Sequence, residues 1–541
     1  MIFKFVNRFF YIIFFLVLQK LDSQTLIAPG NYFFDQEVFR LQQISDSNSG
    51  FHSGLLPSLH FGMNYQKRSD DLKLDKKNYA SRKLFNEDFI ELRKKDTING
   101  MERDFQLDIS PLMDFKGGLD LNDTSGEKIF QNTRGILIHG GVSEKFQFES
   151  VFLENQATLL EYQDAIAQQS KVIPGNGRWK NFKSNGYDYA MASAYVLYRV
   201  NHRVFLQAGH GKHKVGNGYR SLLLSDNSFN YPYARIETRF FKNKIQYTSI
   251  YALLMNLTGG DAKIPVGTER IFQKKPAAFH LLSMQLHKKI NLSFFQSLIW
   301  TKSDSMNRLN LDVSYLNPVI FSNLALYGAQ DSRNILTGVD LNLKPLKRLM
   351  VYGQIVVDEF GQKNSVTNKT GWQAGVKLFD LFSAKGLFLQ VEYNSVRPFT
   401  YSSTDPGQSY THYAQSLAHP AGANFSETLI LLAYRYKRIF IQGKMNYLQQ
   451  GLNLGTNYGQ NIFVSDFNPA LPSQSLYQGI ESQTAIAEGK IGCLMNPKTN
   501  LNIYAGFLYR TQQIATGSNP RFCNFVFVGC STSLFNTYWD Y

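Results

Sequence analysis

The sequence predicts an all-β protein: a large antiparallel transmembrane β-barrel of roughly 16–18 strands, with a small N-terminal helical or irregular segment. Strand-length stretches alternate residue by residue between an apolar and a mixed face. Short turns alternate with long polar segments along the chain. Aromatic residues make up 14% of the 541, with 43 Phe and 30 Tyr, as the interface girdles of a barrel require. The mean hydropathy of −0.26 suits such a barrel, in which only every second strand residue faces lipid.

Read from its start, the chain looks exported. Lys4 and Arg8 precede an apolar run, Phe9 to Leu18, and polar Asp22, Ser23 and Gln24 follow. That order predicts a signal peptide over residues 1–23. The apolar run is shorter than the ~18–20 residues of a membrane helix, and no cysteine near the cleavage region offers a lipid anchor. Residues 24–104 are expected to form a periplasmic or plug-like segment. Within them NEDFIELRKK (Asn86 to Lys95) has a capping residue, early acids and late bases. It predicts a helix with Phe85, Phe89 and Leu92 on one face. A charged lead-in without regular structure is the alternative.

Residues 105–541 supply the barrel. KGLFLQVEYN sets Leu387, Leu389, Val391 and Tyr393 against Phe388, Gln390, Glu392 and Asn394. KRLMVYGQIVVDEF likewise sets Leu349, Val351, Ile355 and Val357 against Tyr352, Gln354 and Asp358. A period of two with one apolar and one mixed face marks strands between lipid and lumen. Tight connections are expected at 199–204, 286–291, 343–348 and 436–440. Long ones are expected at 155–189, 256–275, 361–370, 396–426 and 449–483. An eight-stranded barrel, filled by its own side chains, would leave most of the chain unexplained. In STSLFNTYWDY, Phe535, Thr537, Trp539 and Tyr541 alternate, which predicts the closing strand there.

One stretch breaks the alternation. Between strand-like Val204–Ala208 and Ile236–Phe240 lie Gly209, Gly211, Gly216 and Gly218, basic Lys212, Lys214 and Arg220, and a short apolar run, Leu222 to Leu224. Irregular, charged backbone survives at membrane depth only where protein or water covers it. The stretch is therefore expected to fold over the barrel opening or into its lumen.

That stretch, GHGKHKVGNGYRSLLLSDN with NYPYARI, resembles the Wzi-like capsule-assembly family of outer-membrane proteins, and within it the gliding-motility members. Similar stretches follow in order: YLNPVIF at 315–321, VYGQIVVDEF at 351–360, VEYNSVRPFTY at 391–401 and LAHPAGANFSE at 417–427. Residues 322–333 match nothing in the family, and the first hundred resemble it only through GFHSGLLPSL. The resemblance implies a barrel that associates with surface polysaccharide.

Charge adds little discrimination. Without residues 1–23 the chain carries 54 basic against 41 acidic residues, net +13, which suits lipopolysaccharide, an acidic glycan or nucleic acid alike. No nucleic-acid-binding pattern accompanies it, so no nucleic-acid partner is expected. Cys523 and Cys530 flank FVFVG and either close a small loop, leaving Cys493 free, or stay reduced. His202, His210 and His213 have no fixed mutual geometry, and no metal or cofactor is expected. Asp358 and Glu359 point to opposite faces of a strand, and His52–Ser53 lacks an identifiable third residue, so no catalytic set is predicted.

Recognition is the remaining chemistry. Lys212, His213, Lys214, Tyr219, Arg220, Arg397, Tyr401, His412, Tyr413 and His419 mix flat aromatic faces with hydrogen-bond donors on loops, the combination that binds sugar rings. Girdle and loop packing would use the same residues. The expectation is a monomeric, non-enzymatic surface protein of a diderm outer membrane, acting in gliding, adhesion or capsule attachment. Its expected partners are lipid, lipopolysaccharide, surface polysaccharide and the barrel-insertion machinery. The competing class is a porin or substrate-specific channel.

Overall fold

The computed structural model describes residues 32–44, 52, 54–58, 90–98, 101–124, 126–143, 145–257, 272–300, 317–322, 334–358, 369–453, 455–466, 475–497, 499–517 and 519–541. The expected signal peptide lies outside the described residues.

Among the described residues, eighteen antiparallel strands close into one barrel. The first nine are β1 (Met101–Asp120), β2 (Lys128–Val142), β3 (Phe146–Thr158), β4 (Gly186–Arg199), β5 (Val204–Gly211), β6 (Tyr231–Phe240), β7 (Ile245–Asn256), β8 (Gln273–His287) and β9 (Ile290–Ile299). The remainder are β10 (Asn334–Leu346), β11 (Leu349–Asp358), β12 (Thr370–Phe379), β13 (Leu387–Val396), β14 (Phe425–Tyr436), β15 (Ile439–Leu452), β16 (Ile480–Asn496), β17 (Leu501–Ile514) and β18 (Arg521–Ser531). The ring closes between β18 and β1, from Phe525↔Asp120 to Ser531↔Asp114.

Alternation builds this wall. Along β11, Val351 and Ile355 are exposed while Tyr352, Gln354, Val356 and Asp358 are buried. Along β13, Val391 faces out and Phe388, Gln390, Glu392 and Asn394 face in. Exposed Phe152, Trp372, Ile441, Ile491, Ile503 and Val528 extend the outer apolar face around the ring. An apolar outer face on a closed barrel with a polar interior is the arrangement of an outer-membrane protein. The short connections, among them 199–204, 287–290, 346–349 and 436–439, all lie at one end, here the turn end. The long ones, among them 158–186, 211–231, 396–425 and 452–480, lie at the loop end.

Three expectations change. The predicted helix over Asn86–Lys95 is instead partly strand: Ile90–Ile98 pairs with β1, from Ile90↔Ile109 to Ile98↔Met101. Pairing with an exposed strand edge outweighs the weak helical charge pattern. A short helix does stand earlier, α1 (Tyr32–Ile44), inside the barrel at the turn end. The last ten residues are not the closing strand. β18 closes the barrel, and residues 532–541 turn back into the lumen. Cys523 and Cys530 are free; they stand seven residues apart on β18 and on opposite faces, about 23 Å at ~3.3 Å per residue, which precludes a bond.

Candidate functional site

Residues 212–230 leave β5, descend into the lumen and return to β6. Their backbone is held by wall side chains that act as a surrogate strand. Gln354 on β11 accepts from Leu222 N (2.9 Å) and donates to Val215 O (3.0 Å). Glu392 on β13 accepts from Tyr219 N (2.7 Å) and Arg220 N (3.0 Å), and Gln373 donates to Arg220 O (3.2 Å). Gly216 has φ +110°, and a Cβ there would strike the Gln354 amide; only glycine fits both demands. Leu222, Leu223 and Leu224 are fully buried against Phe279, Phe295, Leu336, Val356 and Val396, an apolar core inside the β6–β13 half of the barrel.

The tip of this loop meets two segments distant in sequence. The Tyr219 ring stands edge-on to Tyr32 of α1 (4.9 Å between centroids) and to Tyr538 of the last segment (5.4 Å). Arg220 pairs with Glu427 of β14 (2.8 Å) and Asp540 (3.0 Å), and donates to Asp540 O (2.7 Å). Burial alone would weaken the Arg220 charge, but Asp540 and Glu427 outweigh it and raise its pKa well above the usual value. Burial would likewise raise Asp540, yet Arg220 and Lys444 hold it below the ordinary carboxylate range. Asp226 accepts from Tyr538 OH (2.8 Å) and Asn536 Nδ2 (3.1 Å), and Tyr32 N donates to Asn536 Oδ1 (2.8 Å). At the turn end, Arg40 of α1 pairs with Asp380 (3.2 Å) and Glu37 with Arg435 (3.1 Å).

Residues 397–424 cap this plug from the loop end. Tyr401 OH donates to Leu222 O (2.8 Å), Tyr410 OH to Leu223 O (2.6 Å), and Ser225 N to Leu417 O (2.7 Å). His419 Nε2 lies 2.7 Å from Glu427 Oε2, and burial lowers its pKa despite that carboxylate.

The sequence-predicted residues therefore converge, but mostly inside. His213, Lys214, Tyr219, Arg220, Tyr401, His412 and His419 are buried and engaged by the protein's own groups; Arg220 is 1% exposed and His419 0%. Lys212, Arg397 and Tyr413 keep partly exposed surface. Lys212 Nζ donates to Gly175 O (3.0 Å), and the Tyr413 ring leans on Phe229 (4.8 Å). Arg397 lines an outer cleft with Trp372, Ser395 and Ser475. His202 sits in a turn at the opposite end of β5 from His210 and His213. His52 is buried, 2.8 Å from Ser283 Oγ and 2.7 Å from Asn243 O, and ties its segment to the wall. Sequence reading missed Glu427, Asp226 and Asp540. The available signal was the carboxylates at inward strand positions, since a buried charge demands a partner.

No family model and no curated protein sequence matches the chain. Among solved structures it is similar to Wzi, an outer membrane protein involved in group 1 capsule assembly in Escherichia coli, described as a carbohydrate binding β-barrel. That similarity has 12% identity and a TM-score of 0.54, and covers 95% of this chain and 100% of that one. Weaker similarity extends to OccAB2 of Acinetobacter baumannii (10% identity, TM-score 0.42, 79% of this chain and 97% of that one). A BenF-like porin of Pseudomonas fluorescens Pf-5 is similar at 9% identity, TM-score 0.42, over 80% and 99%. The chain shares the Wzi-like barrel fold.

Proposed function

We propose that this is a non-enzymatic outer-membrane protein that holds surface polysaccharide at its loop end, in capsule attachment or in gliding motility or adhesion, the gliding role being what a resemblance to the gliding-motility protein RemB implies. The observation that carries this reading is the plug. Loop 212–230, α1 and residues 532–541 meet in mid-lumen through buried ion pairs, and residues 397–424 seal them from above. Such a lumen suits a surface anchor better than a general porin. The similarity to Wzi, itself described as carbohydrate binding, supports the same direction. In this reading Lys212, Arg397 and Tyr413 offer contact surface to the glycan. Buried His213, Lys214, Tyr219, Arg220, Tyr401, His412 and His419 keep the cap in shape beneath them. Lipopolysaccharide surrounds the outer wall, and a single chain suffices because the barrel closes on itself.

The test replaces Arg397 by Gln and Tyr413 by Ala in cells. Retained glycan, surface adhesion or gliding should fall while heat-modifiable barrel in the outer membrane stays constant. Unchanged phenotypes, together with large stable conductance of the purified parent protein in a bilayer, would replace this reading by the channel one.

A further inference from the structure

The plug fills the lumen unevenly. Beside β6–β13 it packs against the wall, but beside β1–β4 and β15–β18 the wall faces a cavity of about 320 Å³. The cavity runs lengthwise. Tyr162 and Gln163 of α2 (Glu161–Ser170) stand near its loop end, and Asn500, Asn502 and Thr532 near its turn end. There it adjoins a second cavity between α1 and the wall; Phe33, Arg435, Phe440 and Gln442 line both.

Its charges are nearly all spoken for. Lys444 pairs with Glu488 (3.1 Å) and Asp540 (2.9 Å), and Lys490 with Glu488 (2.7 Å). Asp114 accepts from Tyr504 OH and from Gln131 Nε2, each at 3.0 Å. Lys116 is different: among the described residues its ammonium has no hydrogen bond or ion pair, and it stands 5.9 Å from the Phe527 ring centroid. Buried Asn502 donates to Asn500 O, while its Oδ1 has no hydrogen-bond partner among the described residues. Register places these groups together. Lys116, Gly529 and Tyr504 form one row across β1, β18 and β17, and Asp114, Ser531 and Asn502 form the next row on the same face. Tyr189 and Trp539 add aromatic faces to the lining.

We propose that this side cavity binds a short saccharide carrying one carboxylate. The carboxylate seats on Lys116, a hydroxyl donates to Asn502 Oδ1, and the ring lies against the tyrosines. The volume falls at the lower end of the ~300–1,000 Å³ common for small-molecule sites. One unclaimed cation matches one carboxylate rather than a phosphate chain. A lining that mixes amides, among them Gln131, Asn155 and Asn502, with aromatic rings suits the hydroxyls and ring faces of a sugar better than a long alkyl chain. This goes beyond the loop-end reading, which concerns a polymer outside the barrel.

Trp539 lines the cavity and reports on it. The purified full chain in detergent is titrated with a disaccharide containing one uronic acid and with its neutral counterpart, following tryptophan emission. The acidic sugar should give a saturable change that disappears in Trp539→Phe. The neutral sugar, and the acidic sugar with Lys116→Gln, should bind at least about tenfold more weakly, the scale of a lost hydrogen bond to a charged group. Lys116→Arg should stay near the parent, and each variant is first shown to be a heat-modifiable barrel. No saturable change, equal binding of the two sugars, or unchanged binding by Lys116→Gln overturns the proposal. Arg397→Gln and Tyr413→Ala leave this titration unchanged, so the loop-end reading and this one fail separately.

Discussion

Arg220 reaches Asp540 Oδ1 at 3.0 Å across 320 residues of sequence, and the two arrive in mid-barrel on segments that enter the lumen from opposite ends. Residues 532–541 form no strand ladder, and loop 212–230 has only a two-residue one, Lys214–Val215 against Leu55–Leu56. Each is fixed by the other and by the wall residues Glu427 and Lys444. The plug is therefore one coupled unit rather than two adjacent stoppers.

Coupling makes a specific demand on Arg220→Met. The substitution removes the guanidinium from buried Glu427 and leaves Asp540 with Lys444 as its remaining cation, and should cost the plug about 3 kcal/mol. Asp540→Asn should cost less, because Glu427 still holds the guanidinium. Hydrogen exchange should show 212–230 and 532–541 losing protection together in Arg220→Met while β11 and β13 keep theirs. Loss confined to 212–230 would show that the segments are independent.

Removing residues 532–541 tests which strand closes the barrel. β18 completes its pairing with β1 by Ser531, so the truncated chain should still appear as heat-modifiable barrel in the outer membrane. Its lumen should be wider, with larger or noisier bilayer current than the parent. Removing 521–531 instead should abolish assembly. We expect β18 to be the strand presented to the insertion machinery; failure of the shorter truncation to insert would return that role to the last ten residues.

Much of this architecture was legible in the sequence because lipid imposes a rule on every second residue. Glu392 and Gln354 could not face lipid without large cost, which leaves that face to Val391 and Ile355. The in-folded stretch was legible for the same reason: Lys214 and Arg220 on glycine-rich backbone had nowhere to go but inward. Inside the lumen no such rule operates. Phe535, Thr537, Trp539 and Tyr541 alternate like a strand, yet Tyr538 and Asp540, the residues between them, make the decisive contacts to Asp226 and Arg220. Apolar Leu222–Leu224 beside buried Gln354 follows no periodicity either. The same mixture explains why loop residues suited to a glycan are largely occupied by the protein itself.

Sidedness has a direct readout. With Cys493, Cys523 and Cys530 replaced by Ser, cysteines at Lys288 in a short turn and at Asp405 in the cap, both exposed positions, should differ in intact cells. Only the one at Asp405 should react with a membrane-impermeant maleimide, and both should react after permeabilisation. The reverse pattern would invert the barrel.

Acidification should loosen the cap through His412. Its Nδ1 accepts from Met255 N at 3.0 Å and its Nε2 faces Asn230 O at 3.2 Å, so the neutral ring satisfies both neighbours and a second ring proton would meet a donor. Burial pushes its pKa down from the ordinary 6.5 to about 3, with Lys275 and His210 adding to the effect while the contacts to Asn230 and Met255 oppose it. The sign follows from proton uptake. Above about pH 6.5 the ring is neutral whether the cap is closed or open, and no penalty exists. As pH falls from about 6.5 towards 3, the open cap gains a proton that the closed cap refuses. Closure then weakens by at most about 1.4 kcal/mol per pH unit for one such group. Buried His419, in the same cap, is shifted in the same direction and steepens the dependence. Exchange protection of 397–424, corrected for intrinsic rates, should therefore drop between about pH 7 and pH 5. His412→Gln, whose amide can present an acceptor and a donor but cannot titrate, should remove part of that slope. A pH-independent cap in the parent, or an unchanged slope in the variant, would show that His412 does not govern closure.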